Sequence, residues 1–459
     1  MVRSLVIAGV CSGVGKTTVA AGLLAALRKR GRRVQGYKVG PDYIDPTYHT
    51  LVGGRPCRNL DSWMLPLPTL LELFQRSAAG VDIGVVEGVM GLYDGRTGQT
   101  EEGSTADVAK ALGLPVLLVV DVGKMARSAA ALVQGYQTFD PGLRLAGVVL
   151  NQVGSERHRE AVAEAIRQAT GLPVLGWLPK RDDLRLPERH LGLVPTGETP
   201  VAPDFFDRLI AQVEASFDLD AVEALATVRT PQVAPTGIFP AQPLPRRTRI
   251  GVALDRAFGF YYQDSLDLLA AWGGDVVPFS PLDDRVLPEG IDGLYFGGGF
   301  PELFAADLAA NRPMRRQVRA AAAAGLPVYA ECGGLMYLCR SITDFEGRSH
   351  PMVGLLPARS RLQRQRLRMG YATLRARRDT PLLRQGQEVR AHEFHWSVLD
   401  RALPAETAAY AVADQGERPE GLAAGNLLAS YMHLHFAARP DLAPRFVAAC
   451  AAWRASQRS

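Results

Sequence analysis

The decapeptide GVCSGVGKTT, Gly9 to Thr18, follows a short apolar run and opens an amphipathic stretch, and it restricts the fold more than any other feature of the 459-residue chain. A glycine-rich turn that leads from a strand into a helix N-terminus converges its backbone N–H groups on phosphate, which places it at the carboxyl end of a strand in a parallel sheet. Lys16 is then expected to reach the outer phosphates of a nucleotide and the Thr17 hydroxyl to bind magnesium, with Gly13, Gly15 and Thr18 completing the loop. The strict pattern asks for glycine at position 10, where this chain has Val10. A turn that merely joins strand to helix is the bland alternative, and GKTT at such a junction argues against it.

Around this turn the first half alternates short β-branched runs (Leu5 to Ala8, Ile83 to Val86, Val116 to Val120, Ala146 to Leu150) with helical stretches such as Thr18 to Arg30, stopped by Gly31. That is the βαβ pattern of a parallel sheet covered on both faces. The second half repeats it, with RIGVAL, GGDVVPF, GIDGLYFGGGF and GLPVYAECGG reading as strands and Leu266 to Trp272 and Met314 to Ala324 as helices. Between the halves, Thr227 to Arg249 holds five prolines and no periodicity, as a linker does. The chain is also too long for one core. The expectation is two α/β domains, 1–226 and 249–459, joined by 227–248.

No apolar run approaches the roughly 18 to 20 residues that a bilayer crossing needs, and Lys16 follows the first apolar patch where a signal peptide would be cleaved. Five scattered cysteines with no CxxC pair argue against both a disulfide framework and a zinc site. These features point to the cytoplasm. A net charge of +5 is small for this length, and no basic stripe interleaved with aromatics suggests nucleic acid.

Acidic side chains cluster after two predicted strands. KVGPDYIDP carries Asp42 and Asp45, and VVEGVMGLYDG carries Glu87 at a strand end and then Asp94. Ligands of a doubly wound sheet lie beyond the carboxyl ends of its strands, so Glu87 is suited to magnesium and the three aspartates to loops that meet there. A turn or cap role would suit any one of those aspartates equally.

AECGGLMYL, Ala330 to Leu338, reads as strand, sharp turn and helix, with Cys332 at the turn and the Gly333 N–H open to an oxyanion. A cysteine nucleophile needs a base to form thiolate. The candidates are His392 and His395 in AHEFHW and His433 and His435 in YMHLHF. Cys339 and Cys450 sit in apolar helical stretches and read as core residues.

Taken together, GVCSGVGKTT, KVGPDYIDP, NLDSWML, VEGVMGLYDG, PERHLGL, GGGFPE, AECGGLMYL, HEFHWS and YMHLHF resemble, in order from about residue 3 to about residue 436, the cobyrinic acid a,c-diamide synthase family. The resemblance implies a dethiobiotin-synthetase-like ATP domain followed by a class I glutamine amidotransferase domain. It implies ATP and magnesium as cofactors and L-glutamine and a corrinoid polycarboxylate as substrates, with the a and c acetates of cobyrinate or hydrogenobyrinate amidated through an acyl phosphate. A homodimer is compatible with it. Carried over residue by residue, it makes Cys332 the nucleophile and His433 its base, places Gly298 and Gly299 of GGGFPE with Gly333 around glutamine and the oxyanion, and gives magnesium to Thr17, Glu87 and Asp45. Asp42, Tyr43, Ile44, Asp45 and Asp94 fall near substrate or the transferred phosphoryl group, and Asn151 at the adenine. Relatives carry leucine at position 44, so the order of amidation is open to change.

Two departures from the wider amidotransferase pattern stand out. Ala330 replaces a glycine, and His435 replaces the glutamate that orients the histidine, a role for which Glu393 is a substitute. RSRLQRQRLR, Arg359 to Arg368, reads as one basic strand face, either solvated or steering an acidic substrate. The competing readings are the same chemistry on another tetrapyrrole such as nickel sirohydrochlorin, a partitioning-type regulatory ATPase, and an amidotransferase domain that only binds.

Overall fold

The computed structural model describes residues 3–186, 188–189, 192–193, 195–196, 202, 204–226, 231–363 and 367–457. Pro187, His190 and Leu191 of PERHLGL lie outside these residues. The chain divides into two compact units, Met1–Ala234 and Pro235–Ser459.

In the first unit β1 (Ser4–Gly9), β2 (Val34–Val39), β3 (Arg58–Leu60), β4 (Ile83–Glu87), β5 (Val116–Asp121), β6 (Leu145–Val153) and β7 (Val174–Pro179) form one sheet in the order β3-β2-β4-β1-β5-β6-β7. Every pairing is parallel. Strands β1 and β2 are buried along their whole length; β1 reads as a short continuous apolar run, whereas β2, VQGYKV, carries Gln35 and Lys38 and does not. The register sets Lys38 of β2 and Ile7 of β1 on either side of Glu87 of β4. The carboxyl ends of three adjacent strands thereby open into one crevice. The phosphate turn enters it from β1 and leads into α1 (Lys16–Lys29), and α2 (Asp45–Gly53) starts at its edge.

The second unit builds a six-stranded sheet from β8 (Thr248–Ala253), β9 (Gly274–Phe279), β10 (Gly293–Phe296), β11 (Val328–Glu331), β16 (Leu422–Ala424) and β17 (Leu427–Ser430), in the order β9-β8-β10-β11-β17-β16. Only the hairpin β16–β17 is antiparallel. Beside it lies an antiparallel sheet, in the order β15-β14-β12-β13-β18, made of β12 (Arg368–Ala376), β13 (Glu388–His395), β14 (Tyr410–Val412), β15 (Arg418–Glu420) and β18 (Met432–His433). The short helix α3 (Gly333–Leu338) follows β11. Cys339 and Cys450 are fully buried, as expected.

Over its described part the proline-rich stretch packs on the second unit: Ile238 is buried and its carbonyl accepts from the Trp272 indole at 2.8 Å, while Leu244 N–H donates to Ala271 O at 2.8 Å. One expectation needs correction: the basic segment is not one strand. Ser360–Leu362 and β12 belong to different sheets, and residues 364–366 lie outside the described residues.

Leu118 is fully buried in β5, between β1 and β6. Leu118→Ala is expected to lower stability by about 2–5 kcal/mol in urea denaturation; a loss below about 1 kcal/mol would contradict this placement of the core.

Candidate active sites

Gly15 sits at the start of α1 with φ 93°, a conformation that glycine adopts without strain, and a Cβ there would fall 2.3 Å from the Asn151 amide nitrogen. That amide donates to Val14 O at 2.8 Å, and its oxygen accepts the Gln152 N–H at 2.9 Å. Asn151, which the resemblance assigns to the adenine, also fastens the phosphate turn to β6. Gly13, with φ 77°, faces open space, and Thr17 and Thr18 stand in the first turn of α1. Lys16 Nζ donates to Cys11 O at 3.0 Å and to Met90 O at 2.5 Å. Burial, and then the Lys38 charge, lower its pKa to about 8 against the pull of Glu87 and Asp45. Met90 itself has φ 47°, an uncommon conformation for a side-chain-bearing residue, and it turns its carbonyl to the lysine.

The acidic groups are not free. Lys38 Nζ lies 2.6 Å from Asp45 Oδ2, 3.0 Å from Glu87 Oε1 and 3.1 Å from Gly88 O, with Asp42 Oδ2 at 3.9 Å. Burial alone would lower the lysine pKa, but Asp45, Glu87 and Asp42 outweigh it and raise it. Burial would raise Glu87, and Lys38, His49 and Thr17 together hold it well below the usual carboxylate range. Asp45 is raised by burial and by Asp42. Glu87 Oε1 also accepts from Thr17 Oγ1 at 2.7 Å, and Oε2 meets His49 Nε2 at 2.5 Å. Sequence reasoning missed both Lys38 and His49, although Lys38 opens KVGPDYIDP. Asp42 Oδ1 accepts the Ile44 N–H at 2.7 Å, a turn role at the entrance to α2. Tyr43 and Ile44 are largely buried on that turn. Asp94 closes a separate turn through the Gly91 N–H at 2.9 Å.

The oxygen donors suit magnesium, which is held through one or two protein groups together with phosphate oxygens and water. Thr17 and Glu87 already touch at the mouth of the turn. Asp45, the third expected ligand, is committed to Lys38 instead. Among the described residues no group of three His, Cys, Asp or Glu side chains forms a metal cage.

In the second unit Cys332 follows β11 and caps α3 with φ 47° and ψ −103°. Its N–H donates to Ser430 O at 2.7 Å, and its Sγ donates to Phe394 O at 3.3 Å. Burial, and next Glu302, push the thiol well up, so at rest the sulfur is protonated and a base has to take its proton. A pocket reaches the sulfur, lined by Gly299, Glu302, Phe394 and Trp396 among others. A Cβ on Gly333 would fall 3.1 Å from Gly299 N, and one on Gly299 would fall 2.0 Å from Ala257 O, so this close approach of backbones requires glycine. The Gly299 and Gly333 N–H groups thus lie beside the nucleophile, where an oxyanion would form. Gly298 has a different part: a Cβ there would sit 2.5 Å from His433 Cε1, so it walls the imidazole.

Of the four histidines, His395 is spent on Glu393 at 3.0 Å and Ser397 O at 2.7 Å. Burial and His433 lower His392 to about 3, leaving it neutral. His435 Nδ1 accepts the Ala437 N–H at 3.2 Å. His433 Nδ1 lies 3.8 Å from Glu331 Oε2, next to the nucleophile in sequence. Glu393, expected as the orienting carboxylate, is engaged by His395 and by Arg418 Nη2 at 3.0 Å.

A phosphate turn with an ionised carboxylate and a cysteine elbow with an imidazole make this a glutamine-dependent amide ligase with a nucleotide-binding domain. Residues 5–194 match the CobQ/CobB/MinD/ParA nucleotide binding domain, and residues 249–441 match the CobB/CobQ-like glutamine amidotransferase domain. The chain is 47% identical over 451 residues to the cobyrinate a,c-diamide synthase of Dehalococcoides mccartyi strain CBDB1, covering 96% of this chain and 97% of that one. It is 46% identical to the enzyme of the same name from Synechococcus sp., covering 97% and 98%, and 43% identical to the hydrogenobyrinate a,c-diamide synthase of Streptomyces coelicolor, covering 98% of each. The chain belongs to the cobyrinate a,c-diamide synthase family.

Removing the Lys38 ammonium leaves Asp45 and Glu87 buried with no cation between them. Lys38→Met is expected to cost about 3–5 kcal/mol in urea denaturation; an unchanged midpoint and slope would show that the cluster does not hold the first unit together.

Proposed function

We propose that this chain uses ATP and glutamine to convert the a and c acetate carboxylates of cobyrinate or hydrogenobyrinate into carboxamides. The observation that carries the reading is Cys332 at its strained turn beside the Gly299 and Gly333 N–H groups, in a chain whose other unit carries Lys16, Thr17 and Glu87 around a phosphate turn. Sulfur attacks the glutamine carboxamide after His433 takes its proton. The two N–H groups then hold the oxyanion, ammonia leaves with that proton, and water hydrolyses the thioester.

The first unit makes the carboxylate reactive. A carboxylate repels an amine because of its charge and resonance, and transfer of the γ-phosphoryl group gives it phosphate as a leaving group. Lys16 neutralises the outer phosphate oxygens, and the backbone of Gly13 to Thr17 cradles the chain of phosphates. Thr17 and Glu87 would hold magnesium, which supplies further positive charge at those oxygens. To Asp42, Tyr43, Ile44, Asp45 and Asp94, on the loops that follow β2 and β4, we assign the surroundings of the acetate arms and the transferred phosphoryl group. We place the reaction in the cytoplasm, in keeping with five free cysteines; among the described residues no helix is long and apolar enough to cross a membrane.

The test is to supply purified protein with ATP, glutamine and cobyrinate, hydrogenobyrinate or sirohydrochlorin in turn and count the amides by mass. Two amides on a corrinoid are expected; product on sirohydrochlorin alone would sink the reading. Cys332→Ser is expected to abolish glutamine-dependent synthesis while ammonia-dependent synthesis continues at the wild-type rate.

A further inference from the structure

We infer that Glu331, the residue before the nucleophile, is the positioning residue for His433; this rests on reading Cys332 and His433 as the glutamine-hydrolysing pair. When His433 takes the thiol proton it becomes a cation at a place with 0% exposure. A charge that deep needs a counter-charge within reach.

Four carboxylates lie near the site, and Glu331 is the one set against the His433 imidazole. Glu393 is bound by His395 and Arg418. Glu420 accepts from the Ser430 hydroxyl at 2.5 Å and the Tyr431 N–H at 2.9 Å. Glu302 lines the pocket on the side of the sulfur. Glu331, 1% exposed, presents Oε2 to His433 Nδ1 at 3.8 Å.

Three donors fix the Glu331 carboxylate in that pose. The Tyr295 hydroxyl donates to Oε2 at 3.1 Å, and the Tyr329 hydroxyl donates to Oε1. The Leu434 N–H also donates to Oε1, at 2.9 Å, which ties down the backbone immediately after the histidine. Burial, with the Glu331 charge next, pushes both phenols well up, so each stays a donor. With Nδ1 turned to this carboxylate, Nε2 is the nitrogen that would take the proton from sulfur. The 3.8 Å separation closes to a hydrogen bond once the ring is charged. Glu331 thus couples nucleophile and base through one side chain.

The experiment compares Glu331→Gln, Glu331→Asp and Cys332→Ser with wild type in glutamine hydrolysis, ammonia-dependent synthesis and thermal melting. An orienting carboxylate replaced by its amide is expected to lower kcat for glutamine about 100-fold or more, with KM changed less than about threefold. Glu331→Asp should recover at least about tenfold of that loss, and ammonia-dependent synthesis should stay at the wild-type rate in both. A Glu331→Gln enzyme within about threefold of wild type in kcat overturns the inference while Cys332→Ser remains inactive; full activity of Cys332→Ser overturns the underlying reading instead. Should Glu331→Gln not fold, Tyr295→Phe carries the test. A fall of about five- to tenfold in glutamine kcat supports the inference, and no fall overturns it.

Discussion

A left-handed backbone residue between a parallel strand and a helix positions the chemistry in both units. In the first it is Gly15, with φ 93°, whose turn delivers Lys16 and Thr17 into α1. In the second it is Cys332 itself, with φ 47°. The two cases differ in cost. Glycine reaches this conformation freely, whereas a residue with a Cβ gives up about 1–3 kcal/mol, which the surroundings must offset. The Cys332 N–H bond to Ser430 O and the Gly334 N–H bond to Gly297 O, at 2.7 and 3.1 Å, hold the elbow in place. The strain is what turns the sulfur away from the sheet and toward the pocket.

The units then treat charge in opposite ways. At the phosphate turn, ionic groups are buried together: Lys38 links Asp45 and Glu87, and Glu87 faces His49 and Thr17. Such a cluster is rigid because loss of any member strands the others away from water. At the elbow the opposite holds, since the thiol is pushed up by burial and His392 is kept neutral. Proton transfer from sulfur to imidazole would add a cation there, opposite the Glu331 carboxylate.

The layout was legible from local pattern wherever function and backbone geometry share the same few residues. Gly9 to Thr18 and Ala330 to Leu338 announce strand, turn and helix, and β1, β4, β5, β6, β8, β10 and β11 all appear where apolar runs were read. What escaped depends on register. Lys38 and Glu87 are 49 positions apart and meet because β2 pairs with β4 in a register that no spacing reveals. Glu331 lies inside AECGG yet was passed over, because its partner His433 comes from a strand about a hundred residues later. The resemblance assigns Asn151 to adenine; its bond to Val14 O, 137 positions away, is a second contact that no spacing reveals. The proline-rich stretch looked unstructured because its packing uses the isolated Ile238 and backbone carbonyls rather than a periodic face.

Transfer of the γ-phosphoryl group to a carboxylate is the step on which both halves converge, and oxygen tracing measures it directly. With corrinoid carrying ¹⁸O in both oxygens of the reacting carboxylates, one labelled oxygen should appear in inorganic phosphate for every amide formed, with the other retained in the carboxamide. Unlabelled phosphate, or label recovered in AMP, would contradict activation by an acyl phosphate.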